Sequence, residues 1–255
     1  PVMANVSGFS VDDYKYTTDE DYQDIEFRSE LDLLYSNSNA IYYAYQLANH
    51  PCKVVKTDVY VIVKFSEYDN PIEVGDKLLK VNNIECSTLE EFQKEIQKVD
   101  GNKVNVTVLR NGKERNLDCK LYEEKGIKIL GVGLQSVTTY DVDPEVKFQF
   151  EKNESGPSAG LITTLSIYDQ LTKGDLTNGK LIAGTGTIEV DGSIGQIGEV
   201  EYKLLGAARG GAEVFLVPDG ENYQDCKKMK KEENLDIKLI PVKNIEDAVE
   251  RLKQL

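Results

Sequence analysis

Ser158 lies among small residues, at the junction between an apolar segment and a helical pattern. Its neighbours are Gly156, Pro157, Ala159 and Gly160. At a helix start, the first backbone N–H groups have no helical partner and carry partial positive charge. Such groups can stabilise the oxyanion that forms when a hydroxyl attacks a carbonyl, and glycines let a substrate backbone approach closely. Serine is also an ordinary helix N-cap, so this segment alone leaves both interpretations open.

Lys203, on a later predicted helix, is the candidate base. Val200, Gly206 and Ala207 lie three or four positions from it, so a helix places them on the same face. Burial against small and apolar neighbours lowers the pKa of a lysine, and a neutral lysine amine can accept a proton near pH 7. The alternative is a surface lysine whose charged end stays in solvent.

Composition argues against several other chemistries. The chain has 255 residues, one histidine, and 30 Lys plus Arg against 44 Asp plus Glu, a formal net charge of −14. Nucleic acid and anionic lipid surfaces would repel such a chain, so neither is an expected partner. His50 precedes Pro51 in a predicted loop, which leaves a lysine as the natural proton acceptor for a serine. We expect no metal and no cofactor.

The four cysteines are too sparse for a disulfide framework and lack Cys-x-x-Cys spacing. Buried free thiols are therefore expected, although a single Cys86–Cys119 bridge stays conceivable. The longest unbroken apolar runs are far shorter than the roughly 20 residues of a membrane helix.

The N-terminal part divides into an acidic leader and a helical segment. Residues 1–28 are polar and acidic and favour a solvated arm, because the EF-hand pattern of a calcium loop is incomplete. Residues 29–49 have helical periodicity in two pieces, which a Ser-Asn-Ser-Asn stretch separates.

Residues 57–122 have the pattern of a small β-rich unit. Its landmarks are a strand at Val59–Phe65, a Gly75-Asp76 pair, an Asn82-Asn83 pair, a capping box at Ser87 and Glu90, alternating valines from Val104 to Val108, and an Asn111-Gly112 hairpin turn. Residues 123–131 follow as a polar joint.

This order of landmarks resembles a bacterial PDZ domain. PDZ domains bind extended peptides by strand addition beside a helix, which implies recognition of protein or peptide substrates. No Gly-Leu-Gly-Phe-like carboxylate loop precedes Val59, so capture of a free carboxyl terminus is in doubt. A packing module without a ligand is the alternative.

The remaining segment mixes strands and helices around the two candidate residues. The predicted elements are a strand with Val146, Phe148 and Phe150, a helix with Leu161, Leu165 and Tyr168, a hairpin at Asp191-Gly192, a helix at Glu199–Arg209 that stops at Gly210-Gly211, strands at Val214–Val217 and Ile237–Val242, and a last helix with Ile245, Ala248, Val249 and Leu252.

Three motifs of this segment occur in a characteristic order. The Gly156–Gly160 segment comes first, Ala183–Gly186 with the Asp191-Gly192 turn follows, and Lys203 stands 45 positions after Ser158. This order resembles the proteolytic domain of Lon peptidases, family S16.

The Lon resemblance implies a role for each candidate. Ser158 corresponds to the nucleophile and Lys203 to the general base, while Gly156, Pro157 and Ala159 complete the nucleophile motif. Thr185 matches a family threonine near this dyad, which implies a hydrogen bond to the lysine amine. Ser155 stands where typical Lon enzymes have an acidic residue.

No G-x-x-x-x-G-K-[ST] loop of an ATPase occurs in the chain. A PDZ-like module before a Lon-like one resembles the PDZ-containing, Lon-like proteases of Gram-positive bacteria. This resemblance implies an ATP-independent serine endopeptidase for unfolded or short peptides, held outside the cell by a membrane anchor that precedes Pro1. Because Lon relatives form hexameric rings, a homo-oligomer is possible. A non-catalytic PDZ scaffold is the alternative from another functional class.

The expected fold class is α+β. We expect an acidic leader and helical segment over 1–56, a PDZ-like domain over 57–122, and a mixed α/β Lon-type proteolytic domain over 123–255.

Overall fold

The computed structural model describes residues 22–149 and 155–255, and its contacts divide the chain into two units. The β-rich unit consists of Val54–Thr139 and the described residues 22–31, and the mixed unit consists of Asp32–Lys53 and Tyr140–Leu255. Both units combine segments that are distant in sequence. The expected boundaries 1–56, 57–122 and 123–255 therefore stay a prediction.

Helix α1 (Tyr22–Leu47) is one continuous helix, and the prediction of two pieces was wrong. Ser and Asn often end helices, because their side chains compete for backbone hydrogen bonds. Here all four residues of Ser36–Asn39 are buried, so packing keeps them helical. Residues 22–28 of the predicted leader also belong to α1, and its residues 1–21 lie outside the described part. His50 follows in a loop, as predicted.

The β-rich unit has a six-stranded sheet and a separate two-stranded sheet. The strands are β1 (Cys52–Lys64), β2 (Lys77–Val81), β3 (Ile84–Glu85), β4 (Lys103–Arg110), β5 (Lys113–Lys120), β6 (Tyr122–Glu124), β7 (Ile127–Ile129) and β8 (Val132–Val142). The order of the six-stranded sheet is β5-β4-β2-β1-β8, with β3 paired to β2, and β6 and β7 form the two-stranded sheet. Asn111 and Gly112 have positive φ angles of 52° and 72°, which the predicted tight hairpin between β4 and β5 requires.

Helix α2 (Leu89–Lys98) begins one residue later than the predicted capping box. Its N-cap is Thr88, whose hydroxyl accepts from the Glu91 N–H at 3.2 Å. The Glu91 carboxylate accepts from the Ser87 N–H at 2.7 Å. Thr88 and Glu91 thus take the places predicted for Ser87 and Glu90, except that the Glu91 carboxylate reaches the N–H of Ser87, one residue before the N-cap. The helix buries Phe92 and Ile96 against the valines of β4.

Residues 123–131 do not form the polar joint that the sequence predicted. Its residues form most of the β6–β7 hairpin, in which Lys125 and Gly126 have positive φ angles. Leu130 is buried in the core of the β-rich unit, and β8 then adds an edge strand that the sequence did not predict.

The mixed unit has a parallel three-stranded sheet of order β13-β12-β9 and a separate β10–β11 hairpin. Its elements are α3 (Gly160–Leu171), β9 (Ile182–Gly184), β10 (Thr187–Ile188), β11 (Ile194–Gly195), α4 (Val200–Arg209), β12 (Val214–Pro218), α5 (Glu221–Glu232), β13 (Lys238–Val242) and α6 (Ile245–Leu252). Leu161, Leu165 and Tyr168 of α3 share one core with the predicted apolar face of α6.

The strand expected at Val146, Phe148 and Phe150 is not found over residues 145–149, and Phe150 lies outside the described part. Val146 and Phe148 pack against the core as an irregular segment, so their alternation reflects side-chain packing without strand pairing. Among the described residues all four cysteines are free, and the conceivable Cys86–Cys119 bridge is absent. No described helix is both long and apolar enough to span a bilayer.

Candidate active site

Ser158 and Lys203 meet in the mixed unit. The Lys203 amine donates to the Ser158 Oγ at 2.7 Å, although the two residues are 45 positions apart. This distance lies within the reach that a general base needs to take a proton from a nucleophile.

The start of α3 leaves the Ser158 side chain available for this contact. The N-cap of α3 is Ala159, and no side chain caps the helix. The alternative interpretation, in which the Ser158 hydroxyl serves as an ordinary helix cap, does not describe the structure. Ser158 lies directly before the N-cap, at the positive end of the helix.

The backbone of Ser158 is fixed by the segment that follows β9. The Ser158 carbonyl accepts from the Thr185 hydroxyl and from the Gly186 N–H, each at 2.9 Å. Thr185 is buried, and its hydroxyl bond goes to this carbonyl instead of to the Lys203 amine as expected. It therefore supports the site through the nucleophile's backbone.

Two backbone N–H groups remain beside the nucleophile. Within the part of the chain that the structure describes, the N–H groups of Ser158 and Ala159 donate to no protein acceptor, whereas the Gly160 N–H bonds the Pro157 carbonyl at 3.1 Å. Free N–H groups at a helix start are the donors that a developing oxyanion needs.

Lys203 lies in the first turn of α4, which begins at Val200. Partial burial in the cleft lowers the pKa of the Lys203 amine, and the Glu199 carboxylate opposes this effect by favouring the charged form. By its accessible surface, however, Lys203 is exposed to solvent. At its other end α4 stops at Gly210. The next residue, Gly211, has a positive φ angle of 82°, so it takes the left-handed conformation that the sequence predicted at the end of this helix.

A cleft of about 190 Å³ surrounds the pair. Ser155, Gly156 and Pro157 form one side, and the others are Thr187, Gln196, Ile197, Gly198 and Glu199. Glu189 accepts a hydrogen bond from the cleft residue Thr187 but does not itself line the cleft. Burial raises the pKa of the Glu189 carboxyl.

Sequence reasoning missed three polar cleft residues, Thr187, Gln196 and Glu199. Glu199 stands four positions before Lys203, and this spacing brings side chains together on a helix. The sequence therefore contained a signal for the effect of Glu199 on the pKa of Lys203. Thr187 and Gln196 arrive through the β10–β11 hairpin, and no local pattern indicates its position. The described residues contain no cluster of three or more potential metal ligands.

A serine hydroxyl beside a lysine amine and two N–H donors is an arrangement that could carry acyl-transfer chemistry. Residues 151–254 match the family model of the Lon protease (S16) C-terminal proteolytic domain, and residues 49–121 match that of the PDZ domain. The chain thus combines a PDZ-like β domain with a Lon-type proteolytic domain, in agreement with the fold class that the sequence predicted.

Curated relatives agree with the first of these matches. The chain is 36% identical over 97 residues to the Lon protease of Xanthomonas oryzae pv. oryzae and 34% identical over 97 residues to that of Rickettsia bellii. Each alignment covers 38% of this chain but only 11% or 12% of the relative. These relatives do not support the expected Gram-positive origin, which stays a prediction.

Among solved structures, the PDZ domain of the SdrC-like protein from Listeria monocytogenes is similar at 24% identity and a TM-score of 0.27. The match covers 30% of this chain and 85% of that one. A score this low carries no argument about the present fold.

Proposed function

We propose that this chain is a serine endopeptidase that works without ATP, with Ser158 as nucleophile and Lys203 as general base. The observation that carries the proposal is the 2.7 Å contact between the Lys203 amine and the Ser158 Oγ inside a cleft. The lowered pKa of Lys203 supports it, because a base must be neutral before it can accept a proton.

The reaction runs in two acyl transfers. Neutral Lys203 takes the Ser158 proton while Oγ attacks the substrate carbonyl, and the N–H groups of Ser158 and Ala159 hold the resulting oxyanion. The Lys203 ammonium then protonates the leaving amine, which leaves an acyl ester on Ser158. Lys203, neutral again, activates the water that hydrolyses this ester and releases the carboxyl product.

We propose further that the β-rich unit recognises extended segments of the substrate. β1, which contains the apolar strand that the sequence singled out, lies between β2 and β8 and therefore has no free edge. β8 has a paired neighbour on one side only, as far as the described strands show. Its first residues, Val132 and Leu134, pack on the cluster that includes Phe92 and Ile96 of α2. We place the added peptide strand at this free edge of β8.

Cleavage assays without ATP test this function. Wild-type protein should cleave unfolded casein and a short quenched fluorogenic peptide, and added ATP should not accelerate either reaction. Ser158→Ala should lower kcat at least about a thousandfold, because losing the nucleophile removes the covalent route. Ser166→Ala, an exposed serine on the neighbouring α3, is the matched control and should keep full activity.

The alternative of a non-catalytic scaffold gives a different result in the same assay. A scaffold would bind casein without cleaving it, and Ser158→Ala would change nothing. The membrane anchor, the extracellular location and the hexameric assembly stay predictions from the family resemblance and form no part of this test.

A further inference from the structure

Three polar side chains on α1, here named the α1 polar row, point at the segments that form the cleft. The Ser36 hydroxyl donates to the Pro157 carbonyl at 3.1 Å. The Asn39 amide donates to the Ile188 carbonyl at 2.9 Å, and the Tyr43 hydroxyl donates to the Val190 carbonyl at 2.5 Å. Their spacing of three and four positions places Ser36, Asn39 and Tyr43 on one face of the helix.

Two side chains of the row are buried, and the row packs closely against two glycines, whereas the Tyr43 bond to Val190 is exposed. Ser36 is 3% exposed and Asn39 is 8% exposed. A Cβ atom on Gly160 would come within 2.7 Å of the Ser36 Oγ, and one on Gly192 within 2.9 Å of the Tyr43 ring. Glycine at both contact points lets α1 approach the loop and the hairpin more closely than any other residue would allow.

The carbonyls that the row binds belong to the segments that define the site. Pro157 directly precedes the nucleophile, and its carbonyl also accepts the Gly160 N–H, so the Ser36 bond fixes the peptide unit just before Ser158. Ile188 lies in the hairpin that supplies Thr187 to the cleft. The α1 polar row thus holds two sides of the cleft, the loop before Ser158 and the β10–β11 hairpin, against α1. This helix lies outside the Lon-type match at 151–254.

We propose that Ser36, Asn39 and Tyr43 are positioning residues of the active site. They hold the nucleophile loop and the β10–β11 hairpin in the arrangement that keeps Ser158 beside Lys203. This inference rests on the proposed peptidase function. A displacement of about 1 Å at reacting atoms can cost about a hundredfold in rate, so hydrogen bonds that set the loop position should be visible in kcat.

Side-chain deletions test the row in the full chain. Ser36→Ala and Tyr43→Phe each remove only a hydroxyl oxygen, their double variant removes both, and Asn39→Ala removes the amide group. Tyr42→Phe is the control for Tyr43→Phe, because Tyr42 is the next tyrosine on α1 and stacks on Tyr140 with no hydrogen bond to the hairpin. Asn37→Ala is the control for Asn39→Ala, since Asn37 is a buried asparagine of the same helix that makes no bond to the described hairpin.

Two measurements are made on each variant. The first is kcat and KM on the short fluorogenic peptide. We expect Ser36→Ala to lower kcat about tenfold with KM within about twofold of wild type, which separates loop positioning from substrate binding. The second is amide hydrogen exchange, followed by mass spectrometry, over residues 156–160 and 187–195. We expect faster exchange in these segments for the row variants and unchanged exchange for the controls.

The outcomes separate this inference from the proposed function. Faster exchange with an unchanged kcat would mean that the row only stabilises the fold, and it would overturn the positioning role. Exchange at the wild-type rate in the double variant would overturn the inference as well. If wild-type protein cleaves neither casein nor the peptide, the proposed function fails, and the exchange rates still decide whether the row holds the two segments.

Discussion

Ser158, the proposed nucleophile, is held through its backbone, while its hydroxyl meets the Lys203 amine. The Ser158 carbonyl accepts two hydrogen bonds, from Thr185 and Gly186, and the preceding Pro157 carbonyl accepts two more, from Ser36 and Gly160. Four donors on two consecutive carbonyls restrict the rotation of the peptide units on both sides of the Cα atom. The Oγ atom is then directed at Lys203.

The first prediction concerns Lys203 and pH. Burial lowers the pKa of Lys203, and only the neutral amine acts as a base, so activity should rise with pH as this group loses its proton and fall as pH drops through its pKa. Lys203→Arg keeps the charge but cannot release a proton in the accessible range, so it should lower kcat about 10²- to 10⁴-fold, as Lys203→Met does. The measurement is kcat/KM against pH.

His50 is the control residue for the dependence of kcat/KM on pH, because a histidine is the other candidate base. His50→Ala should leave the acidic limb in place, because the residue lies in a loop beside Tyr45. A limb that disappears with His50→Ala, or a Lys203→Arg protein that stays active, would exclude the dyad.

The second prediction concerns Glu199. Its carboxylate favours the charged form of Lys203 and so raises the pKa that burial lowers. Glu199→Gln should therefore lower the pKa of Lys203 and move the acidic limb of kcat/KM to lower pH. Glu201→Gln is the control, because Glu201 lies on α4 two positions from Lys203, where side chains do not face each other. If wild type, Glu199→Gln and Glu201→Gln show the same dependence of kcat/KM on pH, Glu199 does not influence the base.

The sequence predicted the two central residues of the site but not the groups around them. The resemblance of the motif order to Lon peptidases implied that Ser158 and Lys203 act together. The structure brings them within 2.7 Å, while their catalytic roles stay a prediction. The bond expected between Thr185 and the lysine amine goes to the Ser158 carbonyl. A hydroxyl near two acceptors gives no sequence signal for which one it binds.

At the scale of elements, predictions failed where long-range contacts override local preference. Ser36 and Asn39 favour a helix break by their intrinsic propensity, yet their partners Pro157 and Ile188 lie 121 and 149 positions away. These bonds satisfy the side chains, which then no longer compete with the helix backbone. Periodicity cannot reveal partners at such distances.

The apolar faces of the helices were predictable, whereas strand partners were less so. Phe92 and Ile96 of α2 are buried as their spacing indicated. The edge strand β8 lacked a clear signal, since its residues are mostly half-buried and do not alternate. Strand existence depends on a neighbour that the local sequence does not specify.

The third prediction concerns a buried ion pair that joins β4 to the loop before β2. The Arg110 guanidinium donates to both oxygens of Asp76, at 2.6 and 2.7 Å, and Asp76 is fully buried. Arg110→Met would leave the carboxylate buried without its partner, so we expect a loss of about 3–5 kcal/mol in the free energy of unfolding. Urea unfolding followed by circular dichroism measures this loss.

Arg115→Met is the matched control for the ion pair. Arg115 is exposed on the adjacent β5, so its replacement should change the free energy of unfolding by no more than about 0.5 kcal/mol. A similar small change for Arg110→Met would show that the ion pair contributes little to the β-rich unit.

At the scale of the whole molecule, the proposed function assigns cleavage to the Ser158 cleft and strand binding to the free edge of β8. Under this proposal the β8 edge binds extended segments of a long substrate, whereas a peptide of a few residues needs only the cleft. If the β8 edge contributes to substrate capture, the two kinds of substrate should respond differently to a ligand that occupies that edge.

The fourth prediction uses this difference. An excess of an extended apolar peptide with a free carboxyl terminus should slow casein cleavage and leave hydrolysis of the short fluorogenic peptide unchanged, because the peptide fills the β8 edge and not the cleft. Methylating alternate backbone nitrogens should abolish the inhibition, since strand addition depends on main-chain hydrogen bonds. The same peptide with an amidated end measures how much the carboxylate contributes. Equal inhibition of both substrates would place the peptide in the Ser158 cleft, and inhibition of neither would remove the recognition role from the β-rich unit.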